Sequence, residues 1–214
     1  MSSEVQARII MQSLPFTFAL LPLVMLLAQG APCVSHLQDV SDTSGDGSLE
    51  PTSRNLENLS AGLVCLIGSL RDEHFAKDWP EESMSSYKDH KITMPHLIVE
   101  DGCFSHRFNK KRCLSRIASK LQLYRPYLDF VKMENPGSSE VDDVISRTDT
   151  LTRSIKDKLP KVEESDTSSP GALPTLPSDR TEWERKITVH VILRELGVFM
   201  AETHRAIRFI NRRQ

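Results

Sequence analysis

An all-α four-helix bundle, running up-up-down-down with two long crossover loops, is the fold this sequence predicts. Three observations predict it. Apolar residues recur at alternating steps of three and four in four separate stretches, giving each one apolar helical face. Pro and Ser cluster between those stretches, and aromatic residues are too few to favour a sheet. One of the three connections is short and two are long. The short one demands antiparallel neighbours, and each long one can carry the chain back along the whole bundle. Helices with a single apolar face can bury it only against one another.

The chain has 214 residues, 39% apolar and 26% charged, with a net charge of -2. That length supports one sizeable core and one domain, and the near-neutral balance gives no reason to expect a nucleic-acid partner. Residues 1–30 read as a signal peptide. Arg8 precedes an apolar run from Leu14 to Leu27, and Ala28-Gln29-Gly30 puts small residues where a signal peptidase reads. The run is short for a membrane span and contains Pro15 and Pro22. Secretion is therefore expected, with an extracellular mature product that does not insert into membranes. Residues 31–50, rich in Gly, Ser and Asp, read as a flexible N-terminal tail. Asp42, Ser44, Asp46 and Gly47 briefly imitate a calcium loop, but Ser53 stands where a bidentate Glu belongs, so no metal is expected. The four-helix domain then spans 51–214.

The first helix is expected from about Ser53, as N-cap, to about Phe75, with Leu56, Leu59, Leu63, Ile67 and Leu70 on its core face. Asn58, Gly62, Cys65 and Ser69 fall on the opposite side at about 100° per residue. Trp79-Pro80 ends it, and a long connection runs from Trp79 to Gly102. The second helix is expected to leave directly from Cys113, with Leu114, Ile117, Leu121, Tyr124, Leu128 and Val131 inward and a kink at Pro126. After the turn Asn135-Pro136-Gly137, Ser138 or Ser139 caps a third helix that carries Val141, Val144, Ile145, Thr148, Leu151, Ile155 and Leu159 and stops at Pro160. A second Pro- and Ser-rich connection covers residues 161 to 178. The last helix is expected from Ser178-Asp179 nearly to the terminus, with Val189, Ile192, Leu193, Leu196, Phe199, Met200, Ile207 and Ile210 inward.

Cys103 and Cys113 are separated by nine residues; six more follow, then Lys120-Leu121, two residues, Tyr124, three residues and Leu128. This resembles the signature of the interleukin-6 and granulocyte colony-stimulating factor family, with Lys120 where the family pattern has glycine. Met94 to Phe104 is similar to the end of the first long loop in the interleukin-6 branch, Trp183 to Arg194 to the start of its last helix, and Arg205 to Arg208 to its basic end. The divergence suggests a non-mammalian vertebrate member. The resemblance implies a long-chain helical cytokine with no cofactor, which binds a ligand-specific receptor chain and then a shared signal-transducing receptor chain. Intracellular tyrosine-kinase signalling in immune and acute-phase responses would follow. A granulocyte colony-stimulating-type growth factor is the alternative within the family.

The same resemblance implies a Cys103–Cys113 disulfide. It places Phe104, Phe108, Arg205 and Arg208 at the specific receptor, and Trp183 at the signalling chain. Read by themselves, the arginines suit a solvated basic helix end, and the phenylalanines suit plugs beside a disulfide. Trp183 lies off the apolar stripe, and an exposed Trp near a helix start is unusual; Trp is common among interface hot spots. The family's first cysteine pair is absent. Cys65 points away from the core, and an exposed free thiol is a liability outside the cell, so a Cys33–Cys65 bridge is expected. Asn58-Leu59-Ser60 is a glycosylation sequon. An enzyme is not expected: the seven histidines have no metal-ligand spacing, and neither a phosphate loop nor a nucleophile motif occurs. A secreted helical lipid carrier would need wider apolar faces than these charge-flanked stripes.

Overall fold

The computed structural model describes residues 51–104, 107–159 and 181–213. The expected leader, the tail with Cys33, Pro160 and the whole second crossover lie outside these. The described chain is the expected all-α bundle: α1 (Pro51–Asp78), α2 (Lys110–Leu123), α3 (Arg125–Glu134), α4 (Ser139–Asp157) and α5 (Glu182–Asn211). Two 3-10 turns, Met84–Tyr87 and Val99–Asp101, interrupt the first long connection. No described helix is long and apolar enough to cross a membrane.

Local chemistry corrects several boundaries. The first helix already includes Pro51, so Ser53 lies inside it and is not the cap. Proline is tolerated there because first-turn N–H groups lack helical partners anyway. It also continues past Phe75, since Phe75 and Trp79 are both buried and their tilted rings pack with centroids 5.2 Å apart. The second helix starts at Lys110, before Cys113, because the Asn109 side chain accepts the Arg112 N–H at 2.9 Å. It does not merely kink at Pro126. It breaks at Tyr124 and restarts, which puts Pro126 in the first turn of α3, where its missing donor costs no helical bond.

The last helix begins at Glu182 rather than Ser178-Asp179. Thr181 and Glu184 form a capping box: the Thr181 hydroxyl accepts the Glu184 N–H at 3.2 Å, and the Glu184 carboxylate accepts the Thr181 N–H at 2.8 Å. The third helix starts as expected, with the Ser138 hydroxyl accepting the Val141 N–H at 3.3 Å, but it ends at Asp157, where Lys158 caps it by bonding back to Ile155, so Leu159 lies beyond it.

Contacts between helix ends fix the topology. His74 near the end of α1 meets Asn135 just after α3 at 2.8 Å, so α1 and α2–α3 run the same way. Arg185 at the start of α5 pairs with Glu134 at the end of α3 at 3.1 Å. Arg208 near the end of α5 pairs with Glu57 near the start of α1 at 3.3 Å. So α5 runs opposite to both, and α4 does too after its short turn. This is up-up-down-down.

Between the helices lie Leu63, Ile67, Ile117, Leu121, Leu128, Leu151, Ile155, Ile192, Leu193 and Leu196, all almost fully buried. Each such side chain stabilises the fold by about 1.5–3 kcal/mol relative to exposure. Tyr124 joins them because its hydroxyl finds the Pro95 carbonyl at 2.6 Å, so burying it leaves no polar group unpaired. A second, smaller cluster of Phe75, Trp79, Tyr87, Ile187 and Val191 sits where α1 ends and α5 begins. Trp79 is thus a core residue as well as a helix stop.

Candidate functional site

The five residues singled out from the sequence occupy opposite ends of α5. At its C-terminal end, the loop between Cys103 and Cys113 lies against the last turns. These two cysteines form a disulfide, with Cα atoms 4.8 Å apart and both residues buried. Gly102 makes the entering turn with φ 75°, a conformation that suits glycine, and its carbonyl accepts the Asn109 N–H at 2.8 Å. The loop is therefore closed twice, by sulfur and by backbone.

Closure sets Phe104 and Phe108 half-buried against the core. Phe108 meets Phe209 of α5 edge to face, with centroids 4.9 Å apart, and the Arg213 guanidinium lies 4.3 Å from the Phe209 centroid. Arg205 and Arg208 are exposed beside this aromatic pair. Arg208 is partly neutralised by Glu57, whereas Arg205 has no ion-pair partner among the described residues. Phe108 thus reaches the last turns of α5, where Arg205 and Arg208 also lie. Phe209 and Arg213, which join them, were missed in the sequence reading. The signal was available, since Phe209 lies four residues after Arg205 and shares its side of the helix.

At the other end Trp183 is 47% exposed, off the core face as its helical phase predicted. Its ring is not isolated, however. It lies 5.6 Å from the His90 ring and 6.5 Å from the Tyr87 ring, centroid to centroid. Arg194 holds that part of the loop to α5 by donating to the Tyr87 carbonyl at 3.1 Å and the His90 carbonyl at 2.6 Å. Neither Tyr87 nor His90 could be tied to Trp183 from sequence, because the contact joins stretches far apart in the chain. Beneath them His190 is 2% exposed, and burial together with the nearby Arg194 charge pushes its pKa down to about 4. It is a neutral core histidine.

The remaining expected sites lie elsewhere. Asn58 is exposed on α1 and free to carry a modification, whereas the Ser60 hydroxyl of the same sequon is fully buried, 3.0 Å from His204 Nδ1. Cys65 is disulfide-bonded, and Cys33, its expected partner, lies outside the described residues. Among the described residues no group of His, Cys, Asp and Glu side chains is placed to hold a metal ion.

Comparison with known proteins adds an independent line. A sequence model of the Interleukin-6/G-CSF/MGF family matches residues 32–210. Interleukin-6 of Oncorhynchus mykiss is 33% identical over 210 residues, covering 91% of this chain and 94% of its own. Interleukin-6 of Vulpes vulpes is 30% identical over 207 residues, covering 94% and 100%. Interleukin-6 of Gallus gallus is 28% identical over 210 residues, covering 92% and 87%.

Proposed function

Because this chain belongs to the Interleukin-6/G-CSF/MGF family, we propose that it is a secreted cytokine that engages two receptor chains at opposite ends of α5. It is not an enzyme; its relatives are interleukins. In this reading residues 1–30 are removed on secretion, 31–50 form a tail, and 51–214 are the signalling domain. Phe104, Phe108, Arg205 and Arg208 bind the ligand-specific chain, and Trp183 anchors the shared signal-transducing chain. Recruiting the latter starts tyrosine-kinase signalling inside the cell.

One observation carries the assignment of ends. Phe108, from a disulfide-closed loop, and Phe209, from the last helix, make one surface beside Arg205, which has no ion-pair partner among the described residues. Aromatic rings flanked by an arginine without an internal partner suit an interface, where Tyr, Trp, Phe and Arg are enriched. The sites are far apart: at ~1.5 Å rise per residue, Trp183 and Arg205 are separated by ~33 Å along α5. One small receptor module cannot cover both, and two receptor chains can.

The direct test is order of addition. The purified mature protein should bind the immobilised ectodomain of the ligand-specific chain. Only that complex should then capture the signalling chain with high affinity, and cells bearing both should show receptor-associated tyrosine phosphorylation. Failure of the mature, folded protein to bind either ectodomain would remove this reading.

A further inference from the structure

Three side chains on one face of α2–α3 hold the carbonyls of the loop that leads into the disulfide. The Lys120 ammonium donates to the His96 carbonyl at 2.7 Å, the Tyr124 hydroxyl to Pro95 at 2.6 Å, and the Tyr127 hydroxyl to Thr93 at 2.9 Å. Their spacing of four and then three residues keeps them on one helical side. The loop carbonyls, which have no strand or helix to pair with, are satisfied in this way.

Lys120 does more than the two tyrosines. It also pairs with Asp101, a residue only 3% exposed, and the Asp101 carboxylate accepts the Ile98 N–H at 2.8 Å. Asp101 immediately precedes Gly102 and Cys103. The Gly102 carbonyl in turn accepts the N–H of Asn109, the residue that caps α2. Fixed contacts therefore run from Lys120 through Asp101 and Gly102 to Asn109, and they frame the loop that carries Phe104 and Phe108. Lys120 itself is largely covered, with 17% of its side chain exposed, so it has little surface to offer a partner. It also stands where the resembling family pattern has glycine, which could supply neither bond.

We propose that Lys120 is a positioning residue for the receptor-facing end of this chain. Through the buried Asp101 it fixes the orientation of the disulfide loop and so sets affinity for the ligand-specific chain without touching that chain. This rests on the reading of Phe104, Phe108, Arg205 and Arg208 as the receptor surface.

Removing Lys120 alone would strand the buried Asp101 carboxylate and could unfold the region. The better variant is the neutral pair Lys120→Met with Asp101→Asn, since asparagine can still accept from Ile98. Lys120→Arg keeps the cation. Each is made in the mature protein. Affinity for the ligand-specific ectodomain is measured well below the melting midpoint, as is capture of the signalling chain by the saturated first complex. Apparent affinity falls with the fraction of molecules whose loop is competent. The neutral pair should therefore bind the specific chain about tenfold more weakly. Lys120→Arg should recover most of that loss, and capture of the signalling chain should be unchanged. A general loss of structure would weaken both steps together and contradict the proposal. Phe108→Ala and Arg205→Glu serve as controls. If they weaken binding while the neutral pair binds like the parent, Lys120 has no positioning role. If the controls also bind like the parent, the receptor surface has been misassigned and the proposal falls with it.

Discussion

The Arg208 guanidinium lies 3.3 Å from the Glu57 carboxylate of α1, whereas Arg205, less than a turn away, has no ion-pair partner among the described residues. The two arginines therefore do not report the same thing when reversed. Arg205→Glu should weaken binding to the ligand-specific chain by at least about 1.4 kcal/mol, or tenfold, and leave the melting temperature unchanged. Arg208→Glu should weaken binding and also lose up to ~1 kcal/mol of stability, because it faces Glu57 with a like charge across a partly exposed pair. Surface-binding and thermal-melting measurements on the two single variants separate these outcomes.

The Cys103–Cys113 bridge closes a short loop between two buried residues. Replacing both cysteines with serine should cost about 2–3 kcal/mol of stability on loop-entropy grounds. Binding to the specific chain should fall further, since Phe104 and Phe108 hang from that loop. Peptide mapping without reduction should find the two linked. Recovery of Cys103 as an alkylated free thiol from folded, active protein would contradict this.

Acid should destabilise the fold through His190. Its pKa falls from 6.5 to about 4 on folding, with burial the main cause. Between those values the unfolded chain binds the proton that the folded chain refuses, so stability is full above pH 6.5 and is lost as pH falls toward 4. The contribution is on the order of 2–3 kcal/mol. His204 is shifted down as well, chiefly by burial and then by Arg208, and acts in the same direction. Melting temperature measured from pH 7 to pH 4 should fall, and His190→Gln should flatten the slope. An equal slope in parent and variant would assign the acid sensitivity elsewhere.

Asn58 is exposed, so its sequon can carry a glycan without disturbing the core. Protein secreted from eukaryotic cells should lose mass on treatment with an N-glycosidase, and Asn58→Gln should abolish that shift. Ser60→Ala is the wrong control, because the Ser60 hydroxyl is buried against His204 and Glu57 and its loss would also affect stability.

The sequence carried the helices and much of the site, for physical reasons. Val141, Val144, Leu151 and Ile155 repeat with the helical period, so their shared burial could be read directly. The exposure of Trp183 and Arg205 followed from the same phase angle. The Thr181–Glu184 capping box was also legible, and an earlier apparent start at Ser178 hid it. What could not be read were contacts between stretches distant in the chain. Nothing local ties Lys120 to Asp101, Trp183 to His90, or Phe108 to Phe209. The first two exist because the first long connection is held along the bundle by side chains from other helices, and the third because the disulfide loop lies against the end of α5.

Trp183→Ala tests the division of labour along α5. The indole is 47% exposed and lies against the His90 and Tyr87 rings, so its loss should cost about 1 kcal/mol of stability or less. The measurement is capture of the signalling chain by the saturated complex of this variant with the ligand-specific chain. The account predicts normal binding to the specific chain and capture weakened by at least ~2 kcal/mol, about 30-fold. The variant would then occupy the receptor without signalling. A variant that melts normally, binds the specific chain normally and still captures the signalling chain at full affinity would contradict it.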